Sequence, residues 1–238
     1  MNKIVLISLT APLAVCALLS ASANTNRNAS TAKKTNVSVS NHPSVDLGLP
    51  SGKLWATYNV GASKPEECGF YFSWGEIKPK GEFTWATYKL GVADKYDNLK
   101  QLTKYSIGTL YDGSKDKRNT LLLADDAAAT NFGKGWRIPT EAECRELVEN
   151  CTWTWEKVNG VEGSKVTGKN GKSIFLPATG LYTDNTLRSE GKHGIYWSST
   201  LDVNYEVNAV VINVSQDNYA VKTCFRYGGL PIRAVREK

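Results

Sequence analysis

The chain has 238 residues, 10% aromatic and 22% charged, with 29 Lys and Arg against 23 Asp and Glu and a formal net charge of +6. All the acids and all but four of the bases lie beyond residue 44, so that part is nearly balanced, which excludes the acid-free basic face of a nucleic-acid-binding protein. Only His42 and His193 are present, and a His-based zinc site or a Ser/His/Asp triad in the folded part would rest on His193 alone.

In chain order, Lys3 precedes an apolar run from Ile4 to about Leu19 and the small-residue exit Ala21, Ser22, Ala23, the pattern of a secretory signal cleaved after Ala23. "LAVC", ending at Cys16, is similar to a lipoprotein box and would put lipid on Cys16; the Val before it and the apolar "ALL" after it argue against this. No other stretch reaches the roughly 20 apolar residues of a spanning helix. The expectation is an exported protein, secreted, periplasmic or at the outer-membrane surface, touching a membrane only through lipid on Cys16. Residues 24–44, rich in Asn, Ser and Thr and without an acid, read as a flexible linker. Residues 45–238 are enough for one domain with a buried core.

Within that domain, strand-like runs recur between turn signals: "KLWATYNV", "FYFSW", "SKVTG", "SIFLPA", "IYWSST", "NAVVINV", "NYAVKTCF" and "LPIRAV". "WATY" occurs at Trp55 and again at Trp85, which suggests two similar strands. The basic "KDKR" at 115–118 reads as a solvated loop. A short helix is expected at about 125–132 in "DDAAATNFG", capped by Asp125 and stopped by Gly133; Asp125 and Asp126 are also the weak candidates for calcium, with nearby carbonyls. The main helix is expected at about 140–150. Pro139 disfavours helical geometry at Ile138, Thr140 caps, and Glu143 returns the capping box. Cys144, Leu147, Val148 and Cys151 then form one apolar stripe, Glu141 pairs with Arg145, and Glu146 and Glu149 face solvent. Further on, Asn170-Gly171 in "GKNGKS" is a strong two-residue hairpin signal, and "VNGVEG" at 158–163 is a looser one. His193 reads as an exposed loop residue.

Export permits disulfides, and the candidates are Cys68, Cys144, Cys151 and Cys224. If Cys144 and Cys151 share a helix they stand about 10.5 Å apart along its axis, beyond the roughly 7 Å a bridge tolerates. Two pairings remain open, 68 with 144 and 151 with 224, or 68 with 151 and 144 with 224, beside a form with all four reduced.

The ordered set "VDLGLPSGKLWATYNVGASKPEECGFYFSWGE", "DDAAATNFGKGWRIPTEAECREL", "CTWTW", "IFLPATG", "YWSST" and "PIRAV" covers about residues 45–236 and resembles the major paralogous domain first noted in Fibrobacter succinogenes and abundant in Bacteroidetes. That family is related to bacterial C-type-lectin-like domains. "RIPTEAE" is also similar to "RLPTEAEW" of formylglycine-generating enzymes. The resemblance implies a loop-rich α+β, C-type-lectin-like domain with mixed β-sheets, one main helix, and two ends that meet as paired strands. Family members place Trp where this chain has Cys144, and Cys where it has Tyr58 and Tyr227, so a family staple between first and last strands is missing here. A thiol at 144 would leave a hole unless neighbours fill it.

The likeness to formylglycine-generating enzymes raises oxidation of a substrate cysteine by paired thiols and copper, but only Cys224 lies in the matching C-terminal region, so the expectation is not an enzyme. Residues 196–229 combine Asn, Tyr, Ser and Asp as binding surfaces do. The resemblance implies a ligand-binding surface there, one that related domains diversify, centred on Trp197, Asp202, Asn204, Tyr205, Asn208, Gln216, Asn218, Tyr219, Arg226 and Tyr227; Trp197 and several tyrosines also fit a core role. The Glu-Pro-Asn and Trp-Asn-Asp motifs of calcium-dependent lectins are absent, and no cofactor is expected. The sequence thus points to an adhesin-like or receptor-like module for an unknown protein or glycan, with a structural role in the cell envelope as the alternative.

Overall fold

A computed structural model describes residues 42–108 and 116–238. The expected signal segment, Cys16, linker residues 24–41 and Lys115 of the "KDKR" stretch lie outside the described residues. The elements are β1 (Ser44–Asp46), β2 (Leu54–Ala56), β3 (Gly91–Ala93), β4 (Leu99–Leu102), a 3-10 turn (Leu123–Asp125), α1 (Ala127–Phe132), β5 (Trp136–Arg137), α2 (Glu141–Asn150), β6 (Thr152–Val158), β7 (Val161–Thr167), β8 (Ser173–Pro177), β9 (Leu181–Thr183), β10 (Thr186–Arg188), β11 (His193–Leu201), β12 (Asn208–Ser215), β13 (Tyr219–Phe225) and β14 (Val235–Arg236). They make an α+β fold of small, mostly antiparallel sheets with one main helix and a short one. No helix among the described residues is long and apolar enough to cross a membrane.

In the sheet β11-β12-β13 the strands β11 and β12 are apolar on both faces because both are covered, whereas β13 is half-buried to exposed along its length. Ile195, Trp197, Ala209 and Val211 turn to one cluster with Trp74, Phe132, Trp136 and Ile232. Tyr196, Ile212 and Val214 turn the other way, to a cluster with Trp55, Leu147, Val166, Leu176 and Val235. Cys144 is fully buried in that second cluster, so large neighbours occupy the space around the small thiol. The two ends do meet: β14 pairs antiparallel with β2 on one side and with β5 on the other, in the sheet order β1-β2-β14-β5.

The main helix starts as its sequence dictates. The Thr140 hydroxyl accepts from the Glu143 backbone N–H at 3.3 Å, and the Glu143 carboxylate accepts from the Thr140 N–H at 2.8 Å. Glu143 also takes two bonds from Arg137, at 2.7 and 2.5 Å. Arg145 pairs with Glu141 at 2.6 Å. Glu146, expected in solvent, instead accepts from the Ser51 backbone N–H and hydroxyl at 2.5 and 2.6 Å and ties the β1–β2 turn to the helix.

Several expectations are corrected. The cap of α1 is Asp126, not Asp125: its Oδ1 accepts from Ala129 N–H at 2.9 Å while Oδ2 accepts from Ile138 N–H at 2.8 Å. The second "WATY" is a turn rather than a strand, with Tyr88 N–H bonded back to the Trp85 carbonyl. "FYFSW" contributes only the single bridge Phe72 to Leu230, and "LPIRAV" is extended into a ladder only at its end. The hairpin signals exchange rank. Asn159-Gly160 forms the two-residue turn, both residues at positive φ (49° and 86°), as a type I′ turn requires. Around Asn170 the Gly168 N–H bonds to the Lys172 carbonyl across three residues, and only Gly171 takes positive φ, 79°. The fold also takes up the end of the stretch read as linker: His42 stacks on Phe132 with ring centroids 3.7 Å apart, and β1 begins at Ser44.

Candidate functional site

Four of the ten sequence candidates are buried: Asp202 within the 202–205 loop, and three in the interior. Trp197 is buried and its indole N–H donates to the Phe72 carbonyl at 2.7 Å, locking β11 against the loop that carries Phe72. Arg226 is fully buried, donating to the carbonyls of Lys104 (2.9 Å), Tyr105 (3.1 Å) and Glu206 (3.1 Å) and to the Tyr88 hydroxyl (2.8 Å), with its guanidinium over the Trp74 ring. Tyr227 is buried against Trp85 and Phe225. None of these three offers a free face for a ligand. Tyr58, the other position where the family has Cys, packs on a different cluster from Tyr227.

The remaining candidates divide between the two ends of the β12–β13 hairpin. Eight residues of β12 separate those ends by roughly 23 Å, so one small ligand cannot bridge them. Gln216, Asn218 and Tyr219 sit at the turn end, where Tyr219 stacks on Trp153 at 5.0 Å and Gln216 lines a cleft with Trp155 and His193. His193 is not a loop residue: it opens β11, half-buried, with Nδ1 3.1 Å from Asn213 Oδ1.

Asp202, Asn204, Tyr205 and Asn208 gather at the other end, beside the start of α2. There a groove of about 550 Å³ has Val210 and Thr223 of the sheet, Glu141 and Arg145 of α2, and the 202–205 loop among its lining residues. Size alone fits a site, since ligand pockets commonly hold about 300–1,000 Å³. The loop is held from several sides. Asp202 Oδ1 accepts from the backbone N–H of Asn204 (2.9 Å) and Tyr205 (3.3 Å), and the Asp202 and Asn208 backbone N–H groups bond to the Asn208 and Tyr205 carbonyls. Next along the chain, Glu206 is buried and its carboxylate accepts from the Ile107 and Gly108 N–H groups at 2.8 and 3.1 Å. On this fixed loop Tyr205 stands 61% exposed and Val203 50%. Asn208 is only half-buried, yet its Oδ1 is shielded and has no hydrogen-bond partner among the described residues. The sequence does not reveal Glu141, Arg145, Val210 or Thr223 as lining residues, because they are brought in by packing; the exposed apolar Val203 beside Tyr205 is the one local signal.

The candidate thiols and acids among the described residues are buried, half-buried or already partnered. All four cysteines among the described residues are free thiols, so neither candidate disulfide pairing forms. Burial raises the thiols of Cys68 and Cys144, and pushes those of Cys151 and Cys224 up to about 11, leaving little thiolate at neutral pH. Asp125 is occupied by Lys104 and the Tyr105 hydroxyl, and Asp126 by backbone N–H groups, so the calcium candidates are already partnered. No three His, Cys, Asp or Glu side chains converge among the described residues. In comparison with known proteins, the chain matches no family model, no curated protein and no solved structure.

Proposed function

We propose that the chain is an exported, cell-surface or secreted, ligand-binding module, C-type-lectin-like in the manner of the major paralogous domain, whose groove beside α2 takes a segment of a protein partner. The observation that carries this reading is the fixed presentation of Tyr205. An exposed aromatic on a loop already ordered by Asp202 and Glu206 loses little freedom on binding, which is how binding surfaces gain affinity. Val203 adds apolar area, while Asn204 and Arg145 at the rim supply adaptable polar contacts. Substitutions at the exposed Asn204 and Tyr205 cost the fold little, so a diversified surface fits these positions, whereas Trp197 and Arg226 must stay. The order of the family-like motifs and the pairing of β14 with β2 support the family reading. An oxidase reading gains nothing from thiols raised by burial.

The test is a protein and peptide array probed with the full chain, with and without calcium, followed by affinities for each hit. Tyr205→Ala is expected to weaken a true hit roughly thirtyfold, the loss typical of a central aromatic contact. An array without hits, or hits that keep their affinity in Tyr205→Ala, sinks the proposal.

A further inference from the structure

The cleft at the turn end of the β12–β13 hairpin has a composition unlike that of the groove. Trp153 and Trp155 lie on the same face of the edge strand β6, two residues apart. Trp153 turns inward: it packs on the second core cluster and is covered by Tyr219, ring planes 10° apart. At Trp155 the opposing strands have given way to the Ser215–Asp217 turn, and a cleft of about 540 Å³ opens, lined also by Glu162, Lys192, His193, Gln216 and Asp217. The indole N–H groups of Trp74 and Trp197 are bound to backbone carbonyls at 2.9 and 2.7 Å. That of Trp155 has no acceptor among the described residues, as is also true of the shielded indole N–H groups of Trp55 and Trp153.

We propose that this cleft is a second recognition site, independent of the groove, and that it takes a neutral saccharide. Glu162 is already paired with Lys157 at 2.9 Å, which leaves Asp217 against Lys192 and no excess charge in the lining to draw an ionic ligand of either sign. Two carboxylates without a third ligand also give a metal ion no cage. Apart from Trp155 its side chains are polar, which suits a peptide's apolar anchor poorly. Sugar hydroxyls both donate and accept: they donate to Glu162 and Asp217, accept from Lys192, and do both with Gln216. The sugar's flat C–H face has the Trp155 ring to lie on. His193 is held by Asn213 at 3.1 Å and fixes one wall. Tyr219, 44% exposed beyond its stack on Trp153, extends the aromatic surface for a following sugar unit.

The experiment follows the seven tryptophan indole N–H resonances of the nitrogen-labelled full chain, Trp155 assigned through Trp155→Phe. The probes are short neutral oligosaccharides (β-1,4-glucan, β-1,4-xylan, α-mannan and β-galactan series), with oligogalacturonate and chitosan oligomers as charged controls. At least one neutral series is expected to move the Trp155 resonance. Binding then falls roughly tenfold in Trp155→Ala and about threefold in Gln216→Ala, in line with the loss of one stacked ring or one hydrogen bond. Tyr205→Ala leaves it unchanged, which separates this site from the groove. Silence of the Trp155 resonance at about 5 mM of every neutral series, where even millimolar affinity would register, overturns the proposal. Stronger binding of a charged control, or unchanged affinity in the variants, overturns it as well. Gln216 lies in an exposed turn, so its variant decides the matter should Trp155→Ala fail to fold.

Discussion

Arg226 and Arg233 are charged side chains with essentially no exposed surface, and neither makes a direct carboxylate pair among the described residues. Arg233 donates to Asn59 Oδ1 (2.9 Å) and to the carbonyls of Ala56, Thr57 and Phe175, and burial pushes its pKa down to about 10. Each guanidinium gathers carbonyls that irregular chain would otherwise leave unsatisfied in the interior, a task suited to its fixed fork of five N–H groups. Arg226→Met keeps an apolar stem but strands the carbonyls of Lys104, Tyr105 and Glu206. A loss of about 3 to 5 kcal/mol is expected, read as a lower urea midpoint with unchanged slope. Arg226→Lys should recover only a small part, because one ammonium cannot reach acceptors spread around a planar fork. Full stability in either variant would mean that water replaces the arginine.

Among the elements, α2 is the one whose start and buried face are both written locally: a proline and a capping pair, then Cys144, Leu147 and Val148 at helical spacing, with Cys151 already extended beyond its end. Glu143 also carries the Arg137 pair, and although burial alone would raise its carboxyl, the bonds from Arg137 and Thr140 hold it below the usual carboxylate value. A carboxyl lowered in the folded state stabilises fully above its unfolded value, near pH 4.3, and that stabilisation is lost as pH falls through the folded value. Glu143→Gln should therefore cost about 1 to 2 kcal/mol at pH 7, with the gap to the native chain closing in unfolding experiments carried below about pH 4. A gap that stays constant with pH would exclude the charge as its cause. Elements lacking such local signals were not legible. "CTWTW" forms most of β6 through pairing with β7, and the second "WATY" turns because its partners lie around Trp85 and Asp97 rather than along a ladder. The α1 cap falls one residue after Asp125 because adjacent aspartates are equivalent in sequence; the Ile138 N–H, twelve positions away, selects Asp126.

At the scale of the whole molecule, the α+β class and the meeting of the two ends were readable, while the extent of a site was not. Residues 196–229 look like one surface because they are contiguous. The strands β11 and β12, buried on both faces, and the turn after β13 send Trp197 and Arg226 inward and leave two clusters at opposite ends. Alternation along a strand separates the faces of a sheet, yet it does not say that both faces are covered; that depends on α2, β6–β8 and the aromatic loops arriving from elsewhere. The same long-range closure makes the end of the chain disproportionately important. β14 is only Val235–Arg236, but it lies between β2 and β5, with Val235 fully buried and Arg236 over the Trp136 ring. Removing residues 237 and 238 loses the exposed ion pairs Lys53–Glu237 and Lys238–Asp46 and should cost no more than about 1 kcal/mol. Removing residues 235–238 also exposes the space Val235 fills and breaks the ladder on both sides, for about 4 kcal/mol in all. Thermal unfolding of the two truncations should thus differ by many degrees for a deletion that differs by two residues. Equal midpoints would show that β2 and β5 hold their places without the strand between them.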